Sequence, residues 1–372
     1  MSNKPNSSLI ELSDKLLAGK AALEQSEIDD LIINLRIELS RALSTNQLAN
    51  EKDVECWQNI FDGLFSSELA TPFMENMDKD LFFGFGEYLA SLSNQSNEKI
   101  ISIIHNYLNL FRNSVFLQKI YDERRWDNLI HSLIVQSNYT FDLLFNQRVN
   151  QYKKKNLFRI IKDGRTIDYS WQKTSELVSS HRSSINHILF EIESESKIVA
   201  FLLENSLEMV MLDLACLTSG IVNAMIPANS VSEHISYILN QTKAPILFAD
   251  DEKQLAKIRS IKKETPFLKT VVILQGNAAE EWVISFEEFK AMASDHNIKT
   301  EEQIKPDSLA TLMYTSGTTG EPKGIMFSHT NIVYKRFCRA MAIPGIGDED
   351  RYLAFLPLYH TFGRWLEMTG AI

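Results

Sequence analysis

The stretch Met313-Tyr-Thr-Ser-Gly-Thr-Thr-Gly-Glu-Pro-Lys-Gly324 decides the fold of the second half of the chain. Its residues 315–320 are all Thr, Ser or Gly, and they lie between two largely apolar runs, 309–314 and 325–327. This pattern predicts a strand, a polar loop and a second strand. The loop offers backbone N–H groups and hydroxyls, and Lys323 adds a cation at its end. Together these groups suit the oxygens of a polyphosphate.

Two other interpretations of this loop come from the residues alone. The composition also fits an ordinary Ser/Thr/Gly surface hairpin without a ligand. The spacing G-x-x-x-x-G-K-[ST] of the common nucleotide-binding P-loop is absent. The loop is therefore a candidate phosphate-binding loop of another kind, and the rest of the chain has to decide between this and the plain hairpin.

Length and charge narrow the classes of function. The chain has 372 residues with 44% hydrophobic content, enough for a sizeable core and roughly two or three domains. Its formal net charge is −10, and the one basic run, 153–155, has no interleaved aromatic residues. This composition argues against nucleic acid as a partner.

Cysteine usage and hydropathy bear on the compartment. Cys56, Cys216 and Cys338 are odd in number and far apart, so they fit neither a disulfide framework nor a zinc site. The polar N-terminus lacks the apolar core of a signal peptide. The most apolar region, 198–227, is interrupted by Glu204, Glu208 and Asp213, too often for a membrane span. We expect a cytoplasmic protein, with a peripheral membrane contact left open.

Residues 1–137 form the first predicted domain, a helical module of unknown role. Only four of the 14 glycines and two of the nine prolines lie in the first 150 residues. Apolar residues recur at helical spacing after Ser26, after Asp53, and over 78–91, 98–119 and 126–135. We expect Ser26 to start one of these helices and Asp53 to cap another. The aromatic residues at this spacing indicate a bundle core rather than a ligand-binding box.

Residues 138–372 form the second predicted domain, of class α/β. Asp163-Gly164 between two apolar runs predicts a β-hairpin, and a helix follows over 170–188. Strands and helices then alternate. We expect strands over 197–203, 221–226, 245–248 and 270–274, with helices over 206–218, 231–239 and 251–261. Such alternation predicts a parallel sheet covered by helices, with ligands at the carboxyl ends of its strands.

The loop at 315–324 resembles the phosphate loop of the AMP-forming adenylate synthetases. This superfamily includes acyl-CoA synthetases, luciferases and the adenylation domains of peptide synthetases. Segments 166–171, 199–205 and 215–226 are similar to structural segments of the same family, so the resemblance covers about 139–372. It implies the front part of the large adenylation domain, and it covers nothing before Tyr139.

The resemblance implies a set of ATP-binding residues in the loop, whose hydroxyls and cation also suit phosphate oxygens on chemical grounds. These are Thr315, Ser316, Gly317, Thr318, Thr319, Gly320 and Lys323. His360, within Tyr359-His-Thr-Phe-Gly-Arg364, matches the family position beside the acyl carboxylate, although a lone histidine is more often structural. This segment most resembles the long-chain acyl-CoA synthetases.

Three nearby features receive structural interpretations. We expect Thr330 or Asn331 to cap a helix after the loop and His329 to be structural or to support other site residues. Acidic residues 348–350 indicate a solvated turn before a strand over 352–355 rather than a metal site. The serines at 179–184 lack the G-x-S-x-G setting of a catalytic serine.

The implied activity is the ATP-dependent conversion of a carboxylic acid, a long-chain fatty acid, to acyl-AMP and then acyl-CoA. ATP, Mg²⁺ and CoA are the implied co-substrates. The sequence ends at Ile372, before the family's adenine- and magnesium-binding segment and its C-terminal lysine. We therefore expect an incomplete, inactive chain that needs its missing C-terminal part or a protein partner. The alternatives are a catalytically dead nucleotide-binding or interaction protein, and a synthetase for an aryl or amino acid or a carrier-protein acceptor.

Overall fold

The structure is a computed structural model, and it describes residues 7–18, 25–45, 51–66, 70–92, 97–294, 303–315 and 320–372. The chain divides into two compact units. One unit lies within Met1–Tyr139 and Val333–Arg351, and the other within Thr140–Ile332 and Tyr352–Ile372. Segment 333–351, which the sequence analysis grouped with the second half, packs with the first unit.

The first unit is helical in its described residues. Its helices up to residue 139 are α1 (Ser7–Ala18), α2 (Gln25–Thr45), α3 (Glu51–Ser66), α4 (Ala70–Asn76), α5 (Lys79–Leu92), α6 (Glu98–Asn109), α7 (Ser114–Ile120) and α8 (Trp126–Gln136). Two predictions here were wrong. Asp53 lies inside the first turn of α3, not at its cap. The helix predicted over 98–119 breaks at Asn113, whose side chain caps α7 through Phe116 N at 3.0 Å.

Aromatic residues fill the core of the helical unit. The Phe82 and Tyr107 rings stack at 4.6 Å, and the Tyr107 hydroxyl donates to the carbonyl of Phe82 at 3.0 Å. Trp57 lies 5.4 Å from Phe85, and both are buried. Gly86 makes room for this packing, because a Cβ there would lie 2.4 Å from the Tyr107 hydroxyl. The aromatic residues at helical spacing therefore form a packed core.

The second unit is α/β. Its elements are α9 (Phe141–Tyr152), β1 (Asn156–Lys162), β2 (Arg165–Ser170), α10 (Trp171–Glu191), β3 (Ile198–Leu202), α11 (Leu207–Leu217), β4 (Val222–Met225), α12 (Ser232–Thr242), β5 (Ile246–Ala249), α13 (Glu252–Ile261), β6 (Thr270–Ile273), β7 (Val283–Ser285), α14 (Phe286–Ala291), β8 (Leu309–Thr315) and β9 (Lys323–Ser328). Helix α15 (His329–Ala342) follows β9, and a π-helix, Gly363–Met368, lies near the end.

Seven strands form one sheet in the order β7-β6-β5-β3-β4-β8-β9, and all neighbours are parallel except β8 and β9. Apolar residues of β3–β6 pack against α12 and α13. The predicted α/β class, a parallel sheet with helices after an all-α module, is confirmed.

Local signals located several elements correctly. Asp163 and Gly164 both have positive φ, 51° and 72°, in the tight turn between β1 and β2. Ser170, Ser206 and Asp251 cap helices α10, α11 and α13. The sequence analysis missed β7 and α14, although Ser285 and Glu288 form a capping box there.

Two predictions near the end of the chain were wrong. Residues 352–355 are irregular rather than a strand. Helix α15 is capped by Ser328, whose hydroxyl accepts from Asn331 N at 3.2 Å, while the Asn331 side chain accepts in return from Ser328 N at 3.0 Å. Asn331 is thus the reciprocal partner of the cap, and Thr330 is not the cap.

Candidate functional site

The loop that opened the sequence analysis joins two paired antiparallel strands. Thr315, the last residue of β8, lies directly opposite Lys323, the first residue of β9, and both are exposed. Gly320 is also exposed, with φ at +159°. The candidates Ser316, Gly317, Thr318 and Thr319 lie outside the described residues. The strand–loop–strand prediction is confirmed for the part of the loop that the structure describes.

The base of this loop is held by Tyr314. Its hydroxyl donates to Gln241 Oε1 of α12 at 2.6 Å, and its ring lies over Gly324 of β9. A Cβ at Gly324 would approach Cζ of Tyr314 to 3.0 Å, so glycine admits the ring. Burial raises the pKa of Tyr314 to about 12, which keeps the phenol a neutral donor.

Alternation along β8 and β9 determines which side of the sheet the loop residues face. Thr311 accepts a hydrogen bond from Arg364 Nη1 at 2.7 Å, and Phe327 packs on Trp365 with ring centroids 5.3 Å apart. Side chains two and four positions along a strand share a face. Thr315 and Lys323 therefore project from the same face of the sheet as the one against which Arg364 packs.

Arg364 belongs to a fully buried polar network. Its guanidinium donates to Asp213 Oδ2 at 2.8 Å and Oδ1 at 2.5 Å, and to Asn223 Oδ1 at 3.1 Å. The Asn223 amide donates to Asp213 at 2.6 Å, and the Thr311 hydroxyl donates to the Asn223 carbonyl at 3.1 Å. We call these four residues the Arg364 network. It joins α11, β4 and β8 to the segment that contains His360.

Segment 356–364, named here the His360 loop, is a turn that leads into the helical residues near the end of the chain. His360 N donates to the Pro357 carbonyl, and Arg364 N donates to the His360 carbonyl, both at 3.0 Å. A Cβ at Gly363 would lie 2.5 Å from the Pro357 oxygen, so the turn closes only with glycine there. The backbone around His360 is thus fixed, while its imidazole is exposed and has no hydrogen-bond partner among the described residues.

The His360 loop is tied to the carboxyl end of β3 by Asn205. The Asn205 amide donates to the Leu356 carbonyl at 2.7 Å, and its oxygen accepts from Leu358 N at 2.8 Å. Only β4 separates β3 from β8, so the two strand ends lie about 10 Å apart at normal strand spacing. His360 and the loop after Thr315 therefore flank the same edge of the sheet.

Carboxylates next to Asn205 shape the local electrostatics. Asp250, after β5, accepts from Glu204 N at 2.6 Å. Burial, opposed by that hydrogen bond and reinforced by Glu204, raises the pKa of Asp250 to about 6. Burial and Glu204 also raise the pKa of Tyr359. The edge beside His360 therefore has a carboxyl group that retains its proton more strongly than usual.

The remaining sequence candidates lie as follows. His329 is completely buried, and burial lowers its pKa to about 4, so its imidazole is neutral and removed from solvent. Residues 348–350 are exposed, and Asp350 accepts from Gly347 N at 2.8 Å within a turn. Among the described residues no group of three or more His, Cys, Asp or Glu side chains could hold a metal ion.

Sequence reasoning missed Asn205, Asp213, Asn223 and Thr311. Asp213 had left a signal, an acid inside the most apolar region of the chain, but its partner Arg364 lies 151 residues away. Asn205 carried no local signal.

No described helix combines the length and apolar character that crossing a bilayer requires.

Comparison with known proteins links residues 145–372 to one enzyme family. The model of the AMP-binding enzyme family matches residues 145–372. Fatty acyl-CoA synthetase A of Dictyostelium discoideum is 27% identical over 241 residues, 60% of this chain and 35% of that protein. Long chain acyl-CoA synthetase 8 of Arabidopsis thaliana is 25% identical over 253 residues, 60% of this chain and 34% of that protein.

A solved long-chain-fatty-acid-CoA ligase from Archaeoglobus fulgidus has the same fold, with a TM-score of 0.51 at 18% identity. The match covers 63% of this chain and 45% of that one. The chain spans about a third of the length of the curated relatives given above.

Proposed function

Because this chain belongs to the AMP-binding enzyme family, we propose that it contributes the phosphate-binding and acid-positioning residues of a long-chain fatty acid–CoA ligase. The overall reaction has two steps. A fatty carboxylate attacks the α-phosphate of ATP, which forms acyl-AMP and releases pyrophosphate. The thiol of CoA then attacks the acyl carbon, which forms acyl-CoA and releases AMP and a proton.

One observation carries this proposal. Thr315 and Lys323 project from the sheet face against which Arg364 packs, and Arg364 ends the His360 loop. Two groups suited to phosphate and one suited to a carboxylate thus flank one edge of the sheet. A plain surface hairpin does not account for a second ordered loop with an exposed imidazole beside it.

Lys323 supports the first step through its charge. Negative charge builds on the leaving pyrophosphate, and an exposed ammonium at the end of the loop offsets it. Among the described residues Lys323 has no ion-pair partner, so its charge is available to a ligand. The Thr315 hydroxyl, directly opposite in the register, donates to phosphate oxygen. We propose the same role for the hydroxyls of Ser316, Thr318 and Thr319. Gly317 and Gly320 would let the backbone approach the phosphates closely.

His360 acts on the acid. An imidazole N–H donates to one carboxylate oxygen and leaves the other free to attack phosphorus. This positions two anions that repel each other in solution, and such positioning is a large part of catalysis in bimolecular reactions. The fixed backbone of the His360 loop suits this role, because positioning requires a site that does not move when substrate arrives.

Long-chain specificity rests on weaker support, the named relatives at 25–27% identity. Each buried methylene of a fatty acid contributes about 0.8 kcal/mol, so activity should rise with chain length over several methylenes. The cysteines are free thiols, which supports a reducing, cytoplasmic setting.

The test is direct detection of products by mass spectrometry. The intact protein that carries this sequence is incubated with ATP, Mg²⁺, CoA and a panel of acids from acetate to stearate, plus benzoate and amino acids. We expect acyl-AMP and acyl-CoA from the longer fatty acids. A flat profile, or a preference for an aryl or amino acid, would rule out the fatty-acid assignment, and no adenylate with any acid would rule out the activity.

A further inference from the structure

Asn205 lies on a rigid platform at the carboxyl end of β3. Before it, Glu204 N is bound by the Asp250 carboxylate at 2.6 Å. After it, the Ser206 hydroxyl accepts from Met209 N at 3.1 Å and begins α11. A strand end, a helix cap and a side-chain hydrogen bond therefore fix the backbone on both sides of Asn205.

The Asn205 side chain spans Pro357 with two hydrogen bonds of opposite direction. It donates to the Leu356 carbonyl at 2.7 Å and accepts from Leu358 N at 2.8 Å. Asn205 is exposed, so water could satisfy the same backbone groups if the side chain were absent. The two bonds therefore do little for burial. What they determine is where the backbone at Pro357 lies relative to β3.

This placement passes directly to His360. His360 N donates to the carbonyl of Pro357, the residue between the two that Asn205 binds, so the held backbone also anchors the turn that carries the imidazole. The other end of the His360 loop is held by Arg364 within the Arg364 network. Leu356 N also donates to Glu367 Oε2 at 2.9 Å, but Glu367 lies just after the loop in the same segment, so this bond does not place the loop relative to β3. Asn205 supplies that connection.

We propose that Asn205 is a positioning residue of the site, which aims the His360 imidazole at the acid by holding the backbone on either side of Pro357. This inference rests on the proposed role of His360. Asn205 itself does not touch the reacting atoms. A displacement of about 1 Å at a reacting group can cost about 100-fold in rate, so the loss of a two-bond support is enough to matter.

The test is a double-mutant cycle of Asn205→Ala and His360→Ala in the intact protein, measured as fatty-acid-dependent ATP–pyrophosphate exchange. We expect Asn205→Ala to lower kcat about tenfold and to leave KM for ATP unchanged. Because Asn205 acts through His360, adding Asn205→Ala to His360→Ala should cause no further loss. Hydrogen exchange at Leu358 N in the 372-residue chain should rise at least tenfold, with Tm lowered by less than about 5 °C.

The matched control is Asn156→Ala. Asn156 is exposed, and its side chain donates one hydrogen bond to Asp168 at 2.7 Å in the β1–β2 hairpin. The substitution removes that bond and should leave kcat unchanged. Unchanged kcat in Asn205→Ala, or losses that multiply in the double variant, would overturn the inference. If the wild-type protein shows no ATP–pyrophosphate exchange, it is the proposed function that fails. Hydrogen exchange then decides the further inference: an unchanged rate at Leu358 N in Asn205→Ala would overturn the claim that Asn205 holds the loop.

Discussion

Arg364 and Asp213 form a bidentate ion pair, with Nε to Oδ2 at 2.8 Å and Nη2 to Oδ1 at 2.5 Å, in which neither side chain reaches solvent. A buried pair of this kind is weak support for a stability role, because the cost of desolvating two charges offsets much of their attraction. What it does achieve is geometric. It fixes the end of the His360 loop against α11 and β8.

Breaking this pair on one side should be costly. We expect Arg364→Met to lower the free energy of unfolding by about 3–5 kcal/mol, because Asp213 is then left buried without a counter-ion. Arg364→Met with Asp213→Leu should recover most of that loss. Urea denaturation of the three proteins measures both effects.

A surface pair provides the control for this comparison. Arg259 pairs with Glu280 and Glu252, and all three side chains are partly exposed. Arg259→Met should cost only about 0–1 kcal/mol. A loss in Arg364→Met as small as this would show that the buried pair is not coupled to folding.

Lys323→Ala should weaken the binding of ATP more than the binding of the acid. A charged hydrogen bond contributes about 1.5–3 kcal/mol, so we expect KM for ATP to rise about 10- to 100-fold with KM for the acid unchanged. Lys323→Arg keeps the charge and should raise KM for ATP less, and Lys173→Ala, at an exposed position of α10, should leave it unchanged. Steady-state pyrophosphate release measures these values; an equal rise in both KM values would remove Lys323 from the phosphate site.

Two buried histidines should make stability depend on pH. Burial lowers the pKa of both His181 and His329 to about 4. Between that value and about 6.5 the unfolded chain binds more protons than the folded chain, so the free energy of unfolding should rise with pH across this window. His181→Leu should flatten the slope measured by urea denaturation from pH 4 to 7. An unchanged slope would mean that His181 is protonated in the folded chain.

Asp250 should contribute with the opposite sign. Its pKa is raised to about 6, above its unfolded value, so the folded chain binds more protons between about pH 4 and 6. Its contribution to stability is therefore greatest in acid and is lost as pH rises through 6. Asp250→Asn keeps an acceptor for Glu204 N, and we expect it to raise Tm at pH 8 but not at pH 4. A rise of equal size at both values would contradict the pKa assignment.

Gly363 should tolerate no side chain. In Gly363→Ala the new Cβ would meet the Pro357 oxygen at 2.5 Å and the Leu356 oxygen at 2.9 Å, both backbone atoms that cannot turn away. We expect the His360 loop to shift, with faster hydrogen exchange at His360 N and reduced pyrophosphate exchange. Gly345→Ala, where no atom lies within 4 Å of the new Cβ, is the control. Equal behaviour of the two variants would mean that the turn is not tight in solution.

Much of the α/β unit followed from local sequence signals. Apolar runs marked the strands, and Ser206 and Asp251 marked helix starts, because a side-chain oxygen there satisfies a free N–H of the first turn. The strand predicted over 352–355 failed. Its apolar residues Leu353 and Phe355 are 71% and 70% exposed, so the apolar pattern there reflects no burial in this chain.

The candidate site could be predicted from the sequence only in part. Thr315, Lys323 and His360 were named from two short motifs, but the groups that hold them were not. Asn205 and Leu356 are 151 residues apart, as are Asp213 and Arg364. Contacts of this range are set by the order of strands in the sheet, which periodicity along the chain does not contain.

The most direct test of the central claim is ATP–pyrophosphate exchange by the intact protein, with and without palmitate. Exchange requires reversible formation of an acyl-adenylate, so it isolates the step that the loop at 315–324 and His360 are proposed to support. We predict exchange that depends on palmitate and falls at least tenfold in both Lys323→Ala and His360→Ala. Exchange that is absent with palmitate, or unaffected by both substitutions, would contradict the account.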